Sequence, residues 1–113
     1  MNFWRKEVID FALDHETVKQ MDEQREWIER EPTNARPYHN LAQLYRVAFK
    51  QDEALGLLLE AIRLDPAYAD AHAALAEIYI TRADDEAAWR HARIANDLGD
   101  SSVLDLLNRY KVG

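Results

Sequence analysis

The side chains best suited to chemistry in this chain are four histidines and one short acidic run. Histidine binds metal ions and transfers protons, and it occurs at His15, His39, His72 and His91. No two histidines are three or four residues apart and no HExxH motif is present, so no single helix presents a histidine pair to a metal. The run Asp84-Asp85-Glu86 could hold a divalent cation, but acidic residues also favour the first turn of a helix. We therefore predict no metal ion and no cofactor.

The chain has none of the motifs typical of enzymes that use a nucleophile or a nucleotide. The GxSxG elbow, the glycine-rich phosphate loop and the dinucleotide-binding fingerprint are absent, and only 3 glycines occur in 113 residues. No cysteine is present, which excludes disulfides, thiolate metal sites and cysteine nucleophiles within these residues. We predict that the protein is not an enzyme.

The formal net charge is −7, and it is unevenly distributed. Residues 1–34 contain nine acidic and five basic residues, residues 35–68 contain four of each, and residues 69–102 contain seven acidic and three basic. Binding to nucleic acid or to an anionic membrane surface requires a basic face, and no segment supplies one. We predict that the protein binds neither.

Apolar residues are spread along the chain rather than collected in one stretch. No apolar run approaches the length of a membrane span, and the first residues lack the long apolar core of a signal peptide. A cysteine-free composition suits a reducing compartment. We expect a cytoplasmic protein that does not insert into membranes.

One pattern of residue types occurs twice, at an offset of about 34 residues, which lies within the range of periods found in repeat proteins. The first copy reads Ala-Arg-Pro-Tyr38-His-Asn-Leu41-Ala42-Gln-Leu-Tyr45, then Ala54, Leu58, Ala61 and Pro66. The second copy reads Ala-Asp-Ala-His72-Ala-Ala-Leu75-Ala76-Glu-Ile-Tyr79, then Ala88, Ala92, Ala95 and Asp100.

In both copies the apolar residues recur at three- and four-residue spacing, which places them on one face of a helix. The first copy predicts a helix capped by Asn34 and a second helix from about Asp52 to Leu64, which Pro66 terminates. The second copy predicts a helix over about Ala69–Thr81 and another that begins at Asp84-Asp85-Glu86 and reaches Asp97 or Leu98, with Gly99 as its left-handed cap. Because two such helices cannot bury both apolar faces alone, the pairs must stack on one another.

This double pattern resembles the tetratricopeptide repeat (TPR), a motif of about 34 residues that reads W-x2-L-G-x2-Y, then A-x3-F, then P. The resemblance implies an all-α fold in which antiparallel helix pairs stack into a short right-handed solenoid. We expect about seven helices in a single domain of residues 1–113: a degenerate first repeat or a helical hairpin over 1–34, repeats over 35–68 and 69–102, and a C-terminal capping helix over 101–113.

The residues before the first strong copy match the repeat only in part. Shifting the frame back by one repeat length places Trp4 at the tryptophan position and Pro32 at the proline position. We expect one helix through about Leu13, a break around Asp14-His15 and a second helix over Glu16–Arg30.

In proteins of the TPR family, the first helix of each pair lines a concave groove that binds an extended peptide. Carried over by position, the resemblance predicts these groove residues: Arg36, His39, Asn40, Gln43, Arg46, Asp70, Ala73, Ala74, Glu77 and Ile80. From the sequence, His39 is either a ligand contact or simply an exposed side chain. One subclass of the family grips the carboxylate end of chaperone tails with lysines, asparagines and an arginine. Only Asn40 fits that clamp, so we do not predict chaperone-tail binding.

The expected function is therefore that of a non-enzymatic adaptor or scaffold that binds a peptide or helical segment of another protein. The alternative is a structural module that forms a homodimer through its terminal helices, with Phe3 and Trp4 in the contact. The sequence does not identify the partner.

Overall fold

The computed structural model describes the backbone of residues 2–110 and the side chains of residues 15–110. This part of the chain is all-α, and its helices pack mainly on their neighbours in sequence. The helices are α1 Asn2–Arg30, α2 Ala35–Val47, α3 Gln51–Leu64, α4 Ala69–Thr81, α5 Asp85–Asp97 and α6 Ser102–Tyr110. Within the described residues, no helix combines the length and apolarity that a membrane crossing requires.

The described residues form six helices, so the expected count of seven is wrong. The predicted break at Asp14-His15 is absent, because α1 continues without interruption over 29 residues. Neither proline nor glycine occurs between Asn2 and Glu31, so nothing in that stretch removes a backbone donor or favours a non-helical conformation. The division of the chain into repeats stays a prediction.

The hydrogen bonds at the helix ends recur between the two copies of the pattern. The Tyr38 hydroxyl donates to the Pro32 carbonyl oxygen over 2.8 Å. The His72 Nε2 lies at the same 2.8 Å from the Pro66 carbonyl oxygen, and both residues of this pair stand one repeat length after their counterparts. A phenol and an imidazole therefore make the same contact in the two copies.

The centre of the fold is a layer of small and aliphatic side chains between successive helices. Leu58 of α3 and Leu75 of α4 are fully buried, and alanines surround them. Because alanine adds so little bulk, the helices can approach closely and the leucines fill the space beside them. The fully buried alanines are Ala42, Ala54, Ala61, Ala71, Ala76, Ala88, Ala92 and Ala95.

Short polar side chains begin two of the helices. The Asn34 side chain accepts a hydrogen bond from the Arg36 amide, which confirms the predicted cap of α2. The Asp84 carboxylate accepts from the Ala87 amide at the start of α5. The acidic run that begins at Asp84 thus serves a helix N-terminus, where carboxylates are favoured. Gly99 follows α5 with a φ of 107°, a conformation that favours glycine.

Candidate binding site

A depression of about 300 Å³ opens between α2, α4 and the start of α6. Six of the ten predicted groove residues line it: His39, Gln43, Asp70, Ala73, Ala74 and Glu77. We call this site the central depression. Residues from both copies of the pattern therefore face the same space.

The far wall of the central depression is formed by residues that were not among the predicted groove residues. Asp100, Ser102 and Val103 complete the lining, at the point where α6 begins. The Asp100 carboxylate accepts hydrogen bonds from the Ser102 amide (3.0 Å) and the Ser102 hydroxyl (2.6 Å), which lower the pKa of Asp100. A negative charge is thus held at this wall while it caps α6.

The charge of the central depression is mainly negative. Asp70 and Glu77 are exposed on α4, and Asp100 adds a third carboxylate. Arg46 offsets part of this charge, because its Nη1 lies 3.1 Å from the Gln43 Oε1 and 3.4 Å from the Glu77 Oε1. The arrangement offers hydrogen-bond acceptors and a negative potential to whatever enters.

His39 is half-buried at the α2 side of the central depression. Its ring lies 5.1 Å from the ring of Tyr68, and its Nδ1 is enclosed without a hydrogen bond among the described residues. Burial lowers the pKa of His39, although the charge of Asp70 opposes the shift. Burial therefore favours the neutral ring, and Nδ1 is too enclosed for a ligand in the depression to reach it.

The remaining four predicted residues do not line the central depression. Arg36 is exposed in a separate hollow of about 280 Å³ beside Tyr68 and Asp70. The Asn40 amide donates to the Gln24 Oε1 of α1 over 3.2 Å. Arg46 reaches the depression only through its bonds to two lining residues, as described above.

Ile80 packs inward, against the apolar cluster formed by α4, α5 and α6. Ala74 lines the depression but is only 2% exposed, so it offers little surface to a ligand. The side chains of Phe3 and Trp4, which the self-association alternative uses, lie outside the described residues.

The chain is similar in sequence to a repeat-containing protein. No family model matches the chain. Over 76 residues the chain is 34% identical to the TPR repeat-containing thioredoxin TTL4 of Arabidopsis thaliana. A TPR repeat-containing protein is thus a distant, partial relative. The aligned stretch makes up 67% of this chain and 11% of that protein, so the chain spans about a tenth of the relative's length.

His72 stands where the TPR pattern favours tryptophan, and it forms a buried pair with His91. His72 and His91 are 5% and 7% exposed, and their Nδ1 atoms are 3.0 Å apart. Since the Pro66 carbonyl can only accept, the His72 Nε2 donates to it, and one proton lies between the two Nδ1 atoms. A second proton there would set two N–H groups against each other. The pair is a packed polar contact between α4 and α5, and Tyr79 stacks on His91.

The histidine pair also has an unusual electrostatic environment. Burial lowers the pKa of His91 to about 4, and the charges of His72 and Arg90 act in the same direction. Among the described residues, no group of three histidine, cysteine or acidic side chains converges as a metal would require. His72 and His91 belong to different helices, and their spacing along the chain matches no helical period, so the sequence carries no signal for their contact.

Proposed function

We propose that this chain is a TPR-type interaction module whose central depression binds a peptide or helical segment of another protein. The observation that supports the proposal most strongly is the convergence of six predicted contact positions, from two copies of one pattern, on one depression. The TPR-containing relative supports the same class of function. In this proposal the helix pairs α2–α3 and α4–α5 form a short right-handed solenoid, and the chain acts by binding rather than by catalysis.

The chemistry of the depression favours a particular kind of segment. Asp70 and Glu77 supply negative charge at its edge, and the half-buried ring of His39 lines its α2 side. A partner that places a lysine, an arginine or an amide here gains charge-assisted hydrogen bonds. Because Ala74 is almost fully buried, a ligand in the depression would mainly contact Gln43 and the carboxylates of Asp70 and Glu77.

We do not propose thioredoxin activity for this chain, although the relative's name includes it. The match covers 11% of that protein, and the 113 residues of this chain contain no cysteine for dithiol chemistry. The proposal therefore concerns the repeat segment alone.

The test compares two variants that each remove two exposed negative charges. One variant, Asp70→Asn with Glu77→Gln, changes the central depression. The control, Glu53→Gln with Asp97→Asn, changes exposed residues of α3 and α5 outside it. Both variants and wild type are used as bait in native cell lysate, and circular dichroism checks that all three are folded.

We expect wild type and control to retain the same partner and the depression variant to lose it. Equal capture by all three proteins would contradict binding through the depression. Sedimentation equilibrium at low micromolar concentration adds a second measurement, because a dimer that both variants preserve would instead favour the self-association alternative.

A further inference from the structure

The turn between α2 and α3 displays an aromatic side chain that packs on almost nothing. Phe49 is 95% exposed, more than any other large apolar side chain in the described part of the chain, and Val47 beside it is 66% exposed. Aromatic residues contribute most when they are buried, so an aromatic left in water gains nothing for folding. An exposed apolar group of this kind is characteristic of contact surfaces.

The backbone at this turn makes the choice of phenylalanine more unusual. Phe49 has a φ of 61°, in the left-handed region that glycine and asparagine adopt most easily. The equivalent turn between α4 and α5 has Ala83 at the same position, with a φ of 58°. A small residue therefore satisfies this turn, and neither packing nor backbone preference accounts for the ring of Phe49.

The surroundings of Phe49 also differ in charge from those of its counterpart. Arg46 and Lys50 flank Phe49, whereas Ile80 and Asp84 stand at the equivalent positions of the second copy. Lys50 is exposed and forms no ion pair with any described residue. The three residues between α2 and α3 thus carry one positive charge and no negative charge, and Asp52 and Glu53 follow in the first turn of α3. We call Arg46, Val47, Phe49 and Lys50 the Phe49 corner.

A hollow beside the Phe49 corner provides room for a ligand side chain. It has a volume of about 580 Å³ and is lined by Gln43, Arg46, Val47, Phe49 and Gln51. Gln43 also lines the central depression, so the two hollows adjoin. A side chain placed here would meet the Phe49 ring on one side and the guanidinium of Arg46 on another.

We propose that the Phe49 corner is a docking site for a peptide segment of another protein, in which an apolar side chain stands next to carboxylates. The apolar side chain covers Val47 and Phe49, and the carboxylates pair with Lys50 and with Arg46, whose charge is shared with Glu77. This inference goes beyond the proposed function, because it uses the hollow that adjoins the central depression and does not require a ligand in the depression itself.

Charge complementarity favours this occupant over a second copy of the chain. A symmetric dimer formed through the corner would pair this patch with itself and so bring Lys50 of both copies into one interface. The two lysine charges would then repel one another. An acidic, apolar segment instead neutralises the unpaired Lys50 and covers the exposed ring.

The test selects binders from a phage library that displays short random peptides, with the full chain as bait. Four baits are compared: wild type, Phe49→Gly, Lys50→Glu and Ala83→Phe. Glycine accommodates the positive φ, so Phe49→Gly removes the ring without disturbing the turn. Ala83→Phe is the matched control, because it places a ring in the equivalent turn next to Asp84 instead of Lys50.

We expect wild type to enrich peptides that combine aliphatic or aromatic residues with aspartate or glutamate. Measured by fluorescence polarisation, those peptides should bind Phe49→Gly at least about tenfold more weakly. Lys50→Glu should weaken them several-fold and reduce the effect of salt. Ala83→Phe should bind them as wild type does and gain no second site. In the Asp70→Asn variant the affinity should be unchanged, because Asp70 lines the central depression and not the hollow beside Phe49, which separates this result from the test of the central depression.

Three outcomes of the peptide selection would overturn the proposal. Wild type could enrich no peptide, it could enrich only peptides without acidic residues, or Phe49→Gly could bind the acidic, apolar peptides as tightly as wild type. A homodimer that dissociates on Phe49→Gly in sedimentation equilibrium would also overturn it, because a second copy would then be the occupant.

Discussion

The helix pair α2–α3 and the pair α4–α5 carry the same residue pattern, but they differ in which side chains they bury. In α4, seven of the thirteen residues are buried, against four of thirteen in α2. Leu58 is fully buried in the first pair where Ala92 is fully buried in the second. The second pair adds the contact between His72 and His91, for which the first pair has no buried polar equivalent among the described residues.

This difference follows from the place of each pair in the chain. Helix α4 packs against α3, α5 and α6, so nearly every face of it is covered. Helix α2 packs against α1 and α3, and its C-terminal end remains open around Val47. Two copies of one residue pattern can therefore form a largely buried helix in one place and a partly exposed helix in another. Four predictions test this difference between the two helix pairs, from the largest expected effect to the smallest.

The largest effect is expected from exchanging the core residues of the two pairs. Leu58→Ala should destabilise the fold by about 2–5 kcal/mol, because it leaves a cavity in a fully enclosed site. Ala92→Leu should also destabilise it, by about 1–3 kcal/mol, because the equivalent space in the second pair is already filled. Urea unfolding followed by circular dichroism measures both. If Ala92→Leu were neutral, the second pair would contain unfilled space and the comparison would fail.

The second prediction uses the histidine pair that only α4–α5 contains. The pKa of His91 is about 4 when folded and about 6.5 when unfolded, so the unfolded chain takes up the proton first as the pH falls. Stability should therefore decrease between pH 6.5 and pH 4, by about 3 kcal/mol in total. His91→Gln should remove most of this difference relative to wild type in urea unfolding at several pH values.

The matched control for that experiment lies in the first pair. Burial lowers the pKa of His39 as well, so His39→Gln should change the pH dependence in the same direction. His39 is half-buried whereas His91 is 7% exposed, so the effect of His39→Gln should be the smaller one. A larger effect from His39 would mean that the histidine pair is not the main acid-sensitive element.

A smaller loss of stability is expected from removing the hydrogen bond to a proline carbonyl, which Tyr38 makes in the first pair and His72 in the second. Tyr38→Phe removes the hydrogen bond to the Pro32 carbonyl and should cost about 1 kcal/mol. His72→Phe removes the equivalent bond and also leaves His91 without its partner, so it should cost more. Thermal unfolding of the two variants compares them directly. Equal costs would indicate that the contact between His72 and His91 adds nothing to stability.

The smallest effect should be a gain. Phe49→Gly and Ala83→Gly should each stabilise the fold by about 1 kcal/mol, because both residues hold a left-handed backbone that glycine adopts without strain. The two gains should be similar, since the φ values differ by little and Phe49 makes almost no packing contact. Chemical denaturation is the measurement. A loss of stability in Phe49→Gly alone would show that the ring is packed, which would weaken its assignment as a docking group.

Local features of the fold were predictable from the sequence. The spacing of Leu75, Ala76 and Tyr79 predicted α4 with the bounds Ala69–Thr81 that the structure has. Asn34 was predicted to cap α2, and Gly99 was predicted to follow α5. These predictions succeed because helical periodicity, caps and stops depend on a few neighbouring residues. The break at Asp14-His15 was wrong, because polar residues alone do not interrupt a helix.

The candidate site was only partly predictable for the same physical reason. Sequence spacing determined that His39 and Gln43 share one helical face, four residues apart. Only tertiary packing decided that Asn40 bonds to Gln24 and that Ile80 turns into the core. The wall that begins at Asp100 likewise depends on how α6 packs against α4.

Beyond α1, the sequence by itself determined which residues form helices and where apolar residues recur along them, because both depend on spacing of three and four residues. The tertiary structure alone decided which faces meet. His72 and His91 form a pair, and Phe49 remains in solvent while Ala92 is buried, because the distance and angle between packed helices set these contacts. Those quantities depend on all the side chains of an interface together, so no local pattern records them.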